Sequence, residues 1–237
     1  MIKELKWESE ILKKKITEFR FEKLENNKKD IERFLKEKQI DLMQSCIELD
    51  NKEGIEFLEN NKFHFQDLKL SYKMNLNMNE KNENIDYKIA VEEDIEDIKR
   101  ISRELFYYSR FNILGERASK EIYEIWAEKA IKGEFDDICL KVQDENNKTA
   151  GFITLKKISE KEAKIGIIAV ELNKQKAGYG KILMDGAKKY LIEQGIDKFY
   201  VVTQGKNINA QNFYINSGFR MDKIEMWYYR TENIKRL

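Results

Sequence analysis

Gln175-Lys176-Ala177-Gly178-Tyr179-Gly180 stands between an apolar stretch, Ile165 to Val170, and an amphipathic one from about Gly180 to Gln194. The first reads as a strand. The second reads as a helix with Leu183, Gly186, Ala187, Tyr190 and Leu191 on one face. A glycine-bearing turn between a strand and a helix presents free backbone N–H groups and the positive end of a helix dipole, which together suit an anion. Gly178 and Gly180 lack a Cβ, so a pyrophosphate can come within hydrogen-bonding distance of the backbone. Lys174, Lys176, Lys181, Lys188 and Lys189 against Glu171 and Asp185 add a local positive field. The spacing is neither a Walker loop nor a dinucleotide fingerprint. On these six residues alone, a turn that binds nothing is an equal reading.

Around this loop the composition is even-handed. The 44 Lys+Arg against 43 Asp+Glu give no global basic field for nucleic acid, and no apolar run is long enough to insert into a membrane. Met1 to Lys6 holds no apolar signal core, so the expectation is a cytoplasmic protein. Cys46 and Cys139 sit in strand-like segments without metal-ligand spacing, and are read as reduced, buried thiols with no metal. At 237 residues the chain can form two domains, each with a core.

Residues 1 to about 78 read as strand (Ile16 to Phe21), helix (Lys28 to Lys38), strand (Asp41 to Leu49), helix (Lys52 to Asn60) and strand (Phe63 to Leu76). The last alternates through Phe63, Phe65, Leu68, Leu70, Tyr72, Met74 and Leu76, with a slip between Phe65 and Leu68. The polar run Asn75 to Asn84 places a boundary there, giving domains at 1–80 and 85–237. Residues 38–63 also overlay 194–219 without a gap, matching Ile40 to Ile196, Asp41 to Asp197, Asn51 to Asn207, Phe57 to Phe213, Asn60 to Asn216 and Phe63 to Phe219. The first copy has Leu58 where the second has Tyr214, and it has no glycine loop.

In the second domain Val91 to Tyr107 reads as a helix begun by Glu92-Glu93-Asp94, and a second helix runs from Ser119 as N-cap to Gly133. Ile138 to Val142 and Ala150 to Lys157 form a hairpin. Lys198 to Gln204 is a strand, Asn209 to Ser217 a short helix closed by Gly218, and Lys223 to Arg230 the last strand. In Asn207-x-x-Ala210-x-x-x-Tyr214-x-x-x-Gly218-Phe219, Ala210 and Tyr214 stack one helical turn apart. From the letters alone, a core tyrosine like Tyr190 on the preceding helix is the stronger reading of Tyr214.

The loop and this second segment resemble the two signatures of the GNAT acetyltransferases. The resemblance implies an α/β (α+β) GNAT fold, with a mixed, mostly antiparallel sheet flanked by helices and preceded by a smaller, truncated GNAT-like domain without the loop. It also implies acetyl-CoA as co-substrate, held by Gln175, Lys176, Ala177, Gly178, Tyr179, Gly180 and Lys181 with Asn207 and Ala210, and by the backbone of Ile168, Ala169 and Val170, where an oxyanion would be stabilised. Tyr214 becomes the general acid for the departing thiolate. No credible nucleophile is present and His64, the one histidine, is given a structural role, so direct attack by an amine is preferred over an acyl-enzyme.

Ser109-Arg110-Phe111, Tyr123-x-x-Trp126 with Ala130, Gly133-x-Phe135-Asp136, Cys139-Leu140 and Trp227-x-Tyr229-Arg230 sharpen this into a resemblance to the bacterial dTDP-fucosamine N-acetyltransferase family. That implies a dTDP-amino sugar as the small-molecule acceptor, with Tyr108, Ser109, Arg110 and Phe111 in the acceptor wall. A peptide N-terminus, an amino acid or another small amine is the alternative acceptor. A CoA-binding module without turnover is the alternative class. Whether the first domain shapes the acceptor site or supports a homodimer stays open.

Overall fold

The computed structural model describes residues 1–22, 31–35, 39–79, 87–105 and 110–231, with the backbone alone at 116 and 118. In chain order its first elements are β1 (Ile2–Glu4), α1 (Lys6–Leu12), β2 (Ile16–Phe19), helical residues 31–35, β3 (Leu42–Glu48), α2 (Lys52–Asn60) and β4 (His64–Asn75). Then come β5 (Lys88–Ile89), α3 (Ile95–Leu105), α4 (Glu116–Ile131), β6 (Ile138–Gln143), β7 (Thr149–Lys157), β8 (Glu162–Val170), α5 (Tyr179–Glu193), β9 (Lys198–Gln204), α6 (Ile208–Asn216) and β10 (Arg220–Arg230). The chain clusters into two compact units, one of residues 1–70, 204–207 and 223–237, the other of 71–203 and 208–222.

In the first unit β2 is antiparallel to β1 and parallel to β3, and β10 pairs antiparallel with β3 from Glu225↔Glu48 to Arg230↔Met43. Phe19, Ile31, Leu35, Met43, Ile47, Leu58, Phe63, Met226 and Tyr228 form its core. The Asn51 side chain caps α2 by accepting the Gly54 N–H at 3.0 Å, which is why the helix begins at Lys52. Buried Arg230 donates to the Asn61 carbonyl and to Glu32, so its charge is satisfied. The strand β1 and the helix α1 were not legible in the sequence, being too short for a periodic signal. Phe65 leaves the expected face and is 52% exposed, while Asp67 turns inward beyond the slip and accepts the Leu68 N–H at 2.8 Å. Cys46 is half-buried rather than buried.

In the second unit β5, β6, β7 and β8 pair antiparallel in succession, and β8 runs parallel to β9. Ile98 and Ile101 of α3 and Ala127 of α4 pack on Phe152, Ile167 and Ala169. Gly151, whose side points away from Phe152, faces Leu183 of α5 across the other surface of the sheet. Two expected boundaries move. Gly115, at φ 106°, precedes α4, so Ser119 is a buried residue inside the helix and not its cap. A 3₁₀ turn, Glu92–Asp94, leads into α3, and the expected extension to Tyr107 lies outside the described residues, as do the ends of the Lys28–Lys38 helix.

The offset that overlays 38–63 on 194–219 also overlays whole elements: β3 on β9, α2 on α6, and the start of β4 on the start of β10. The two units are therefore not consecutive stretches divided at 80–85. Each copy's last strand ends in the unit of the other, because β10 completes the ladder on β3 while residues 71–75 of β4 cluster with the second unit.

Buried Asp94 ties this second unit together, accepting the Val91 N–H at 2.9 Å, the Thr149 hydroxyl at 3.1 Å and the Lys141 ammonium at 2.6 Å. Burial alone would raise its carboxyl, but Lys141, the Val91 N–H and Thr149 outweigh burial and hold it below the ordinary aspartate value. A carboxylate so depressed contributes stability that is complete above its unfolded pKa, about 4, and is lost as pH falls through the lower folded one. Thermal unfolding followed from neutral pH downward should show Tm falling below about pH 4, with a shallower fall in Asp94→Asn.

Candidate active site

The loop presents a row of main-chain donors. From Lys176 to Lys181, six consecutive main-chain N–H groups find no acceptor among the described residues. The run ends in the first turn of α5, whose first internal bond is donated by the Ile182 N–H to the Gly178 carbonyl at 3.1 Å. Gly178, at φ 91°, makes the turn into the helix, with open space where a Cβ would be. Gly180 is small for another reason: a Cβ there would lie 3.2 Å from the Phe213 ring of α6.

The root of the loop is held from three sides. The Gln175 side chain donates to the Val170 carbonyl at 3.1 Å, Lys174 pairs with Asp144 of the β6–β7 turn, and Glu171 pairs with Arg100 of α3. Asp144 in turn accepts the N–H groups of Asn146 and Lys148, so the turn itself anchors the lysine. The expected field of five lysines is correspondingly smaller. Lys174 and Lys181 are neutralised by Asp144 and Asp185, and Lys188 donates to the Ser217 carbonyl at 2.8 Å. Lys176, exposed and at φ 63°, keeps its charge without a partner among the described residues.

Beside the loop, β8 parts from β9. Parallel pairing covers Glu162↔Lys198 to Lys164↔Tyr200 and goes no further. On the other edge of β8 the Glu171 N–H donates to the Ala150 carbonyl at 2.9 Å, so by alternation Ala169 also faces β7, while Ile168 and Val170 turn their main-chain groups toward the gap. Of the three residues expected to supply backbone donors, two face the gap and Ala169 does not.

Tyr214 and Ala210 share a face of α6, and Tyr214 is buried against Phe213, Phe219 and Tyr72 with ring centroids 5.6, 5.9 and 6.2 Å away. Its hydroxyl makes no hydrogen bond among the described residues, and burial pushes the phenol well above its ordinary pKa. Asn207 belongs to the first unit, where its N–H donates to the Gln204 carbonyl at 3.0 Å.

The sequence profile of the acetyltransferase (GNAT) family matches residues 95–219, more than half of the chain. The chain belongs to the GNAT acetyltransferase family. A dTDP-fucosamine acetyltransferase of Escherichia coli is 30% identical over 144 residues, 60% of this chain and 62% of that protein; the chain therefore matches less than two thirds of that relative. Among solved structures, a GCN5-related N-acetyltransferase from Kribbella flavida superposes with a TM-score of 0.59 at 9% identity, covering 92% of this chain and 82% of its own. A conserved protein of unknown function from Staphylococcus epidermidis superposes with a TM-score of 0.63 at 14% identity, covering 92% and 85%. At these identities the structures speak for the fold.

Within this GNAT frame the acceptor side is thinner. Tyr108 and Ser109 lie outside the described residues. Phe111 is buried and carries the Arg110 guanidinium 4.0 Å over its ring. Sequence reasoning missed a depression lined by Arg103, Arg117, Lys120, Glu121 and Glu124, whose cations come from the successive helices α3 and α4. Arg103 forks onto Glu124 at 2.8 and 2.7 Å, and Arg117 meets Glu121 at 2.6 Å. Both thiols are poor nucleophiles: burial pushes Cys139 far up and raises Cys46 to about 12. His64 is exposed. Among the described residues there is no cluster of three or more His, Cys, Asp or Glu that could hold a metal, and no helix long and apolar enough to cross a membrane.

Gly178→Trp places an indole over the free N–H groups where the structure has open space. Calorimetric titration should show acetyl-CoA affinity falling by about 100-fold or more, as the cradle's charge-assisted hydrogen bonds are lost. Unchanged affinity would remove the loop from the binding site.

Proposed function

We propose that this protein transfers the acetyl group of acetyl-CoA to the primary amine of a nucleotide-linked amino sugar, by direct attack within a ternary complex. The observation that carries the transfer is the run of six main-chain N–H groups without an acceptor among the described residues, following the strand that borders the β8–β9 gap. The run is an apt cradle for a pyrophosphate, and the gap for the extended arm that joins it to a thioester. The neutral amine attacks the carbonyl carbon, and the resulting oxyanion accepts from the N–H groups of Ile168 and Val170. As the C–S bond breaks, the thiolate takes a proton from the Tyr214 hydroxyl, the nitrogen releases its extra proton to water, and the phenolate is reprotonated from water. With both thiols raised by burial, no acyl-enzyme is invoked.

The acceptor class is supported by the name of the Escherichia coli relative and by the Arg110 guanidinium, a bidentate match for a diphosphate. We read the first unit as a reduced copy of the second half of the GNAT fold, on the support of the matching β3-α2-β4 and β9-α6-β10 order.

CoA release from acetyl-CoA, measured with a dTDP-4-amino-4,6-dideoxyhexose, a peptide N-terminus, amino acids and polyamines, tests the reading. Turnover with peptides or polyamines and none with the sugar would leave an acetyltransferase of another acceptor. Tyr214→Phe should keep acetyl-CoA affinity and lower kcat about 10²- to 10³-fold. Because burial raises the phenol, the wild-type rate should show no loss from this group below about pH 10. Arg110→Ala should raise the KM for the sugar about 10- to 100-fold and leave that for acetyl-CoA nearly unchanged.

A further inference from the structure

The strand β8 carries one residue too many. Ile153 pairs with Ile168 and Leu155 with Ile165, so two steps along β7 correspond to three along β8, and the extra residue forms a bulge at Gly166 and Ile167. It begins two residues beyond Lys164, where β9 departs, and ends directly before Ile168, whose N–H faces the gap.

A bulge leaves a main-chain donor without a ladder partner, and here a side chain supplies the acceptor for it. The Ile167 N–H donates to Thr154 Oγ1 at 2.8 Å. A hydroxyl accepts there only if its own proton points elsewhere, and the Thr154 proton goes to Asp136 Oδ2 at 2.6 Å. The carboxylate is fixed in turn by the Trp126 Nε1–H of α4, which donates to the same oxygen at 2.9 Å. Gly166 is part of the same assembly. A Cβ at that position would fall 2.0 Å from Asp136 Oδ2 and 2.6 Å from Thr154 Oγ1.

The arrangement is costly. Asp136 is 1% exposed, and its second oxygen, Oδ1, is buried with no donor among the described residues. A buried carboxylate with one oxygen unsatisfied destabilises a fold, and a neutral residue would do better if stability were the only demand.

We infer that Asp136 and Thr154 are positioning residues that hold the β8 bulge, and thereby aim the Ile168 N–H at the acetyl carbonyl. This rests on the reading of the β8–β9 gap as the acetyl site. Neither side chain touches the reacting atoms. Asp136 orients the Thr154 hydroxyl, the hydroxyl fixes Ile167, and Ile167 fixes the next N–H along the strand.

Three variants separate this role from chemistry by Asp136 and from a purely structural one. Thr154→Val keeps the shape and removes the acceptor, Thr154→Ser restores it, and Asp136→Asn keeps one oxygen to accept from Thr154 and Trp126. With a dTDP-4-amino-4,6-dideoxyhexose as acceptor, Thr154→Val should lower kcat about tenfold or more with the acetyl-CoA KM within about twofold, since the pyrophosphate cradle is untouched. Thr154→Ser should recover most of the rate, and Asp136→Asn should stay within about threefold of wild type. Hydrogen exchange at the Ile167 amide should quicken about tenfold or more in Thr154→Val and not in the other two.

Wild-type kcat in Thr154→Val, or a joint collapse of kcat and acetyl-CoA affinity, would overturn the inference. So would loss of turnover in Asp136→Asn with Ile167 exchange unchanged, which would assign the carboxylate to chemistry. If the wild type releases CoA with no amine at all, the transfer reading fails by itself. The clamp is then judged by exchange, and an unaltered Ile167 amide in Thr154→Val overturns it.

Discussion

Parallel pairing between β8 and β9 stops after Lys164 and Tyr200, and beyond that point β8 presents main-chain groups to a gap where another strand would normally satisfy them. Backbone N–H and C=O groups are strong and obligatory hydrogen-bonding partners, so an open strand edge inside a domain is either wetted or filled by a ligand. One of these groups, the Val170 carbonyl, is met by the Gln175 side chain. The glycine loop is thus attached to the gap by its first residue. The bulge, the parting of the strands and the loop form one device.

The second element of that device is its charge, and it is more local than the composition suggests. Most of the loop's lysines are spent on carboxylates or carbonyls that hold the loop in shape: Lys174 on Asp144, Lys181 on Asp185 and Lys188 on Ser217. An anion arriving here meets six oriented N–H dipoles, the end of α5 and Lys176. Preorganised dipoles need no reorganisation when the ligand binds, which suits a site that must hold one end of a long molecule while chemistry occurs at the other.

Much of this was legible in the sequence because it is written in local patterns. The strand-glycine-helix order around Gly178, the hairpin of β6 and β7, the exact extent of α2 and the repeat linking residues 38–63 with 194–219 all follow from periodicity and turn residues. What escaped is decided by contacts between distant residues. The bulge is set by Asp136 and Thr154, 30 and 12 residues upstream of Gly166, and no window around Gly166 contains that information. Ser119 looked like a helix cap, yet Gly115 had already supplied the break and Ser119 is buried inside α4. Phe65 looked inward by alternation with Phe63, yet it is exposed and Asp67 is buried. The return of β10 to pair with β3, which brings residues 223–230 into the first unit, is visible only in three dimensions.

The claim on which the rest depends is that the free N–H groups of the loop and of the gap bind one molecule of acetyl-CoA between them. An amide-resolved NMR titration with acetyl-CoA tests it residue by residue. The account predicts that the largest changes fall on the amides of Lys176 to Lys181 and on those of Ile168 and Val170, saturating together with one affinity. Binding that moves amides elsewhere and leaves these unchanged, or no binding at all, would contradict it.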